Sequence, residues 1–139
     1  MSLSGHCLCG AVTYSTDSDP IMVAICHCTD CQRQSGAPFS LNVAVDRDAL
    51  TIGGDSLTTY ETVGGAMDMK RERMFCNRCG SPLISVLEEA GDMAFIKAGT
   101  LDDTSVITPE LEVYTDSAQP WFHAAEAEER GLFPAGIPT

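Results

Sequence analysis

Phe75-Cys76-Asn77-Arg78-Cys79-Gly80-Ser81 places two thiols three positions apart with a glycine directly behind them. Such a knuckle turns the chain between the cysteines, and the intervening amides can donate to the sulfurs. A second pair stands near the N-terminus in Gly5-His6-Cys7-Leu8-Cys9-Gly10. Alternate side chains of an extended segment share a face, so Cys7 and Cys9 are expected to project together with Leu8 opposite. Two pairs make four thiolates, the complement of a closed tetrahedral zinc site. A metal on Cys7, Cys9, Cys76 and Cys79 would close a long loop and couple metal binding to folding. The alternative is two disulfides or free buried thiols, but a Cys-x-Cys disulfide is badly strained.

The other three of the seven cysteines lie in Cys26-His27-Cys28-Thr29-Asp30-Cys31. Cys26 and Cys28 share a face by the same alternation, and a turn begun at Thr29-Asp30 brings Cys31 round to them. Three thiolates are the count expected when a metal keeps one position open. They also leave a zinc ion weakly Lewis acidic. Such an ion suits an incoming thiol, held as the nucleophilic thiolate, better than the making of hydroxide. The alternative is a second structural zinc completed by His27, His6 or His123. Alternation turns His27 away from the sulfurs, which suits it to orienting ligands from behind. No cysteine is left over. A redox enzyme of the methionine sulfoxide reductase kind, which needs a free catalytic thiol, is therefore disfavoured.

The frame around the cysteines reads as β structure. Short runs with β-branched or aromatic residues occur at 11–15, 22–25, 39–45, 57–61, 73–75, 83–87, 93–98 and 111–114. Glycine, proline, asparagine or aspartate mark most of the gaps. One helical turn is expected at 29–34, capped by Thr29 or Asp30 and ended by Gly36, and another at 124–130. With 139 residues, no repeat and no linker, residues 1–139 read as a single domain. No apolar run approaches a membrane span, and the N-terminus lacks the features of a secretory signal. An odd cysteine count with close spacings points to metal in a reducing compartment, hence a cytoplasmic location.

A net charge of −12 repels phosphate backbones, so neither nucleic acid nor membrane is expected as a partner. Lys70, Arg71, Arg73 and Arg78 supply half of the eight basic residues. They read first as a solvated strand face, with a seat for a small ligand's carboxylate as the sharper alternative. Arg33, Ser35 and Gly36 follow the cysteine triplet and are the candidate ligand-binding residues. For Ser35 and Gly36 a plain helix-ending turn competes. Phe39 reads first as core, and Trp121, Phe122 and His123 as an anchor for the C-terminal segment.

Taken together, the three cysteine motifs, with Ser35-Gly36, Ala98-Gly99-Thr100-Leu101-Asp102-Asp103 and Pro120-Trp121, resemble the glutathione-dependent formaldehyde-activating enzyme family. That family includes the centromere protein V-like proteins. The resemblance spans nearly the whole chain and implies an Mss4-like fold, mainly β, of small antiparallel sheets with zinc knuckles and few short helices. It implies a structural Zn²⁺ on Cys7, Cys9, Cys76 and Cys79, and a second, catalytic Zn²⁺ on Cys26, Cys28 and Cys31. The implied activity is a carbon–sulfur lyase reaction, the reversible joining of glutathione and formaldehyde as S-hydroxymethylglutathione. A small thiol and a small aldehyde would be its partners, and a homo-oligomer is compatible with the sequence. The competing reading is a non-catalytic binding module with both zinc ions structural.

Overall fold

The two-residue periodicity of the sequence is realised in eleven strands and one short α-helix among the described residues, which in this computed structural model are 2–122 and 130–137. His123 and all but the last residue of the expected 124–130 turn lie outside them. In chain order the strands are β1 (Leu3–His6), β2 (Thr13–Thr16), β3 (Met22–Cys26), β4 (Ser40–Asp46), β5 (Leu50–Gly53) and β6 (Leu57–Gly64). They continue with β7 (Met69–Cys76), β8 (Pro82–Leu87), β9 (Met93–Lys97), β10 (Leu111–Val113) and β11 (Gly131–Phe133). The helix α1 (Thr29–Ser35) joins β3 to β4.

Strands β1, β2 and β5 form a three-stranded antiparallel sheet. The larger sheet runs β11-β10-β3-β4-β9-β8-β7-β6. It is antiparallel except where β10 lies parallel to both β3 and β11. The mainly β class read from the sequence is the class observed. Each of the eight expected runs overlaps a strand, and β1, β5 and β11 were not anticipated.

Alternation gives the larger sheet two different faces. Val43 and Val45 of β4, Ile84 of β8 and Ile96 of β9 point to one face and are fully buried. There they cluster with Leu3, Val12 and Tyr14 from the region of the small sheet. Removing such side chains from water supplies about 1.5–3 kcal/mol each, which makes this seam the main support of the fold. Cys7 and Cys76 belong to the same cluster, so the first metal-type cysteine group is built into the core. The opposite face carries Met22, Ala24 and Cys26 from β3, Asn42 from β4 and Phe95 and Lys97 from β9. Ser85 and Leu87 of β8 and Arg71 and Arg73 of β7 complete it.

The cap of α1 is Cys28, one residue ahead of Thr29 and two ahead of Asp30, the expected caps: its sulfur accepts the Cys31 N–H at 3.2 Å. The sulfur does the work of the usual capping oxygen because the turn must bring Cys28 and Cys31 together. Gly36 ends the helix as expected, at φ 73°, and its N–H reaches Gln32 O at 2.9 Å. That left-handed backbone favours glycine.

Candidate metal centres and the chamber beside them

The sulfurs of Cys7, Cys9, Cys76 and Cys79 lie within 4.8 Å of one another. Cys7 and Cys9 are 3.6 Å apart, and Cys9 and Cys76 3.8 Å. A disulfide is far shorter, whereas four sulfurs around one zinc ion stand about 3.8 Å apart at the usual bond length. The donor set and its spacing therefore fit a closed tetrahedral site. The N-terminal pair reaches it differently from the expectation: Cys7 and Cys9 sit in a turn after β1, closed by Gly10 N to Cys7 O at 3.0 Å. Leu8, at its tip, is exposed.

Hydrogen-bond donors surround these sulfurs. Val12 N–H donates to Cys7 at 3.3 Å and the Ser56 hydroxyl to Cys76 at 3.2 Å. Leu8 N–H donates to Ser81 Oγ at 3.0 Å, which directs the Ser81 hydroxyl hydrogen onto Cys79 at 3.2 Å. The Ser81 hydroxyl and its N–H hold the Cys79 thiol down at about 5, and the Ser56 hydroxyl lowers Cys76. Thiolates held this way are the form a metal takes up.

Cys26, Cys28 and Cys31 form the second group, all buried, with sulfurs within 4.8 Å of one another. Hydrogen bonds from Cys26 and Cys28 pull the Cys31 thiol down, and the charges of Lys97 and Arg73 add to the effect. Among the described residues no fourth His, Cys, Asp or Glu ligand atom lies within 4.8 Å of all three. The set fits a metal with an open position.

His27, between two of these cysteines, turns away as expected. Its ring is fully buried, and Nε2 meets Glu112 Oε1 at 2.8 Å. Its backbone N–H donates to Val113 O at 3.1 Å. Phe122 packs edge-on against the ring at 4.9 Å and also against Phe39 at 5.0 Å. Phe122 thus anchors the C-terminal segment, while Trp121 is exposed. Gln32 Nε2 donates to His27 O at 2.7 Å and to Ser117 O at 3.2 Å, tying α1 to the chain after β10. These bonds hold the turn that carries the three sulfurs.

A small chamber of about 40 Å³ adjoins Cys26 and Cys31 on the second face of the large sheet. Here the leading reading of the basic cluster needs correction. Arg71 and Arg73 are 3% and 4% exposed, and both line this chamber together with Lys97, which is 7% exposed. Glu72 alternates to the other face, where Lys70 pairs with Glu61 at 3.2 Å. Lys70 is exposed, as the solvated reading requires, and Arg78 lines a separate groove.

Arg71 Nη2 forms an ion pair with Glu89 and donates to Tyr114 Oη at 3.2 Å. The tip of the β6–β7 hairpin closes over this pair so tightly that a Cβ on Gly65 would collide with Arg71 Nη2. Tyr114 takes a left-handed φ of 55°, a conformation that costs a non-glycine residue about 1–3 kcal/mol. It lines both the chamber and an open groove of about 320 Å³ that also includes Cys28, Asp30, Arg71 and Asp116. The two spaces thus meet at Arg71, Tyr114 and the cysteine triplet.

Arg33 and Gly36 line a third, shallow groove on the far side of α1, and the structure does not bring them to the chamber. Ser35 Oγ accepts the Ala37 N–H at 3.2 Å, the contact of a helix-ending turn. Sequence reasoning did not single out Lys97, Asn42 or Ser85. The available signal was their shared parity with Phe95 and Arg73 on strands that pair in the sheet: Asn42 faces Lys97, and Ser85 faces both Arg73 and Phe95.

Comparison with known proteins agrees with this architecture. The family model of the glutathione-dependent formaldehyde-activating enzyme matches residues 2–117. An uncharacterized lyase of Schizosaccharomyces pombe is 26% identical over 113 residues, covering 81% of this chain and 77% of that protein. A crystal structure of a Rhodobacter sphaeroides protein superposes with a TM-score of 0.59 at 19% identity, covering 76% of this chain and 91% of the other. The last likeness speaks for the fold alone.

Proposed function

Because this chain belongs to the glutathione-dependent formaldehyde-activating enzyme family, we propose that it is a zinc-dependent carbon–sulfur lyase joining a small thiol, such as glutathione, reversibly to a small aldehyde. The observation that carries this reading is the buried cluster of Cys26, Cys28 and Cys31 without a fourth ligand among the described residues. A zinc ion held there would supply an open position that keeps an outside thiol deprotonated at neutral pH. Cys7, Cys9, Cys76 and Cys79 would hold a second, structural ion. The chain would act as a single cytoplasmic domain.

The residues around the triplet support thiol handling. Arg73 Nη1 stands 4.0 Å from Cys31 Sγ, so a fixed positive charge offsets the negative sulfurs. The open groove beside Cys28 offers Asp30 and Asp116 together with Arg71. A thiol that bears an ammonium finds two carboxylates there. His27 and Gln32 hold the sulfur-bearing turn in place while substrates exchange.

The test is metal stoichiometry followed by glutathione titration of the cobalt-substituted protein. Two ions per chain are expected, with a sulfur-to-metal charge-transfer band that grows as glutathione enters one site. An unchanged spectrum at millimolar glutathione would leave both sites structural and the lyase reading without support.

A further inference from the structure

Three cations are sealed on one face of the large sheet, and the described residues bring them one carboxylate. Burying a charge is costly unless it is paired and hydrogen-bonded. Glu89 answers Arg71. Arg73 Nη1 has only the Cys31 sulfur at 4.0 Å, and its Nη2 has no partner. Lys97 Nζ reaches the Ser40 hydroxyl at 3.5 Å. Arg71 Nε and the Ser85 hydroxyl, both on the chamber wall, are buried and unpartnered as well. The remaining wall is largely apolar, with Phe95, Leu87, Ala24 and Val113.

A three-thiolate zinc site would carry one net negative charge, and Glu89 adds another. Before a thiol enters the site, the three cations exceed these two by one. The free donors converge on the chamber from β7, β8 and β9, and a guanidinium edge matches a carboxylate. At about 40 Å³ the space holds a few heavy atoms. A whole peptide thiol does not fit there, whereas the 320 Å³ groove on the other side of Tyr114 can take its arms. An anion in the chamber therefore belongs to the smaller reactant.

We propose that the chamber formed by Arg73, Lys97, Ser85 and Arg71 beside Cys26 and Cys31 is a carboxylate subsite, and that the carbonyl compound attacked by the thiol carries a carboxylate next to its carbonyl carbon. The proposal rests on the lyase reading and narrows its substrate class from a neutral aldehyde to a small oxo acid. The step balances without a redox partner. The thiol gives up its proton, the sulfur lone pair forms the C–S bond, and the carbonyl π pair moves to oxygen, which takes up one proton. The reverse step breaks the same bond.

The test uses calorimetry on the fully metal-loaded protein with glyoxylate, acetate and glutathione as separate titrants. Glyoxylate and acetate are expected to bind at millimolar concentration or below and to compete with each other, while glutathione leaves acetate bound. Arg73→Met should weaken acetate binding at least tenfold with two metal ions retained. Should that variant lose metal or fail to fold, Ser85→Ala provides the reading, with an expected loss of about threefold. No acetate binding at tens of millimolar, or an unchanged affinity in the variant, overturns the proposal. Displacement of acetate by glutathione also overturns it, because the seat would then belong to the thiol. Acetate binding without any glutathione response would support the anion seat and remove the lyase reading on its own.

Discussion

Thr100 has one hydroxyl hydrogen, and the carbonyl of Lys97 takes it at 2.8 Å. The Tyr14 hydroxyl must then be the donor in its 2.8 Å contact with Thr100 Oγ1. Burial pushes the Tyr14 phenol up from 10.0 to about 12, with help from the charge of Asp102. The native state therefore keeps this proton at a pH where the unfolded chain has lost it. Its contribution is complete below pH 10 and is lost as pH climbs from 10 to about 12. Tyr14→Phe should cost about 1 kcal/mol at neutral pH through the lost hydrogen bond. It should also flatten the alkaline decline, as read by urea unfolding at stepped pH; parallel declines in both proteins would refute the assignment. At this scale the sequence was only half legible. Alternation places Arg71 and Arg73 together and opposite Lys70 and Glu72, but it does not say which face is covered. The covering residues include Tyr114 and Ile137, far along the chain.

Among the elements, the Cys76–Cys79 knuckle was the most legible, because its turn, its glycine and its amides are all local. The Cys7–Cys9 pair was harder. Strand alternation predicted the right convergence, but a turn closed by Gly10 produces it. Strand β1 was missed because Leu-Ser-Gly-His has no β-branched residue, and its place comes from pairing with Thr13–Thr16. Ser81 links the two ends of the site, accepting from Leu8 and donating to Cys79. Its loss leaves the four sulfurs but removes their orientation. Ser81→Ala should therefore weaken metal at the Cys7–Cys79 cluster about tenfold, measured by competition with a chromophoric chelator, and leave the other ion untouched. An equal loss at both sites would contradict this assignment.

Over the whole molecule the two cysteine groups occupy different surroundings. One group lies in the main hydrophobic cluster through Cys7 and Cys76; the other lies with Val113 in a smaller cluster beside the chamber. Cys76→Ser should abolish cooperative folding, whereas Cys31→Ser should lose one ion and keep a cooperative thermal transition by circular dichroism. Equal loss of structure in both variants would mean that both sites are structural. The groups also differ in how much of the chain they span. During synthesis the sulfurs of residues 26–31 leave the ribosome almost together, so an ion could bind them early. Cys9 and Cys76 stand 67 positions apart. The N-terminal pair therefore waits as bare thiols through much of translation, the interval when an oxidant in the cell can do most harm to the nascent protein.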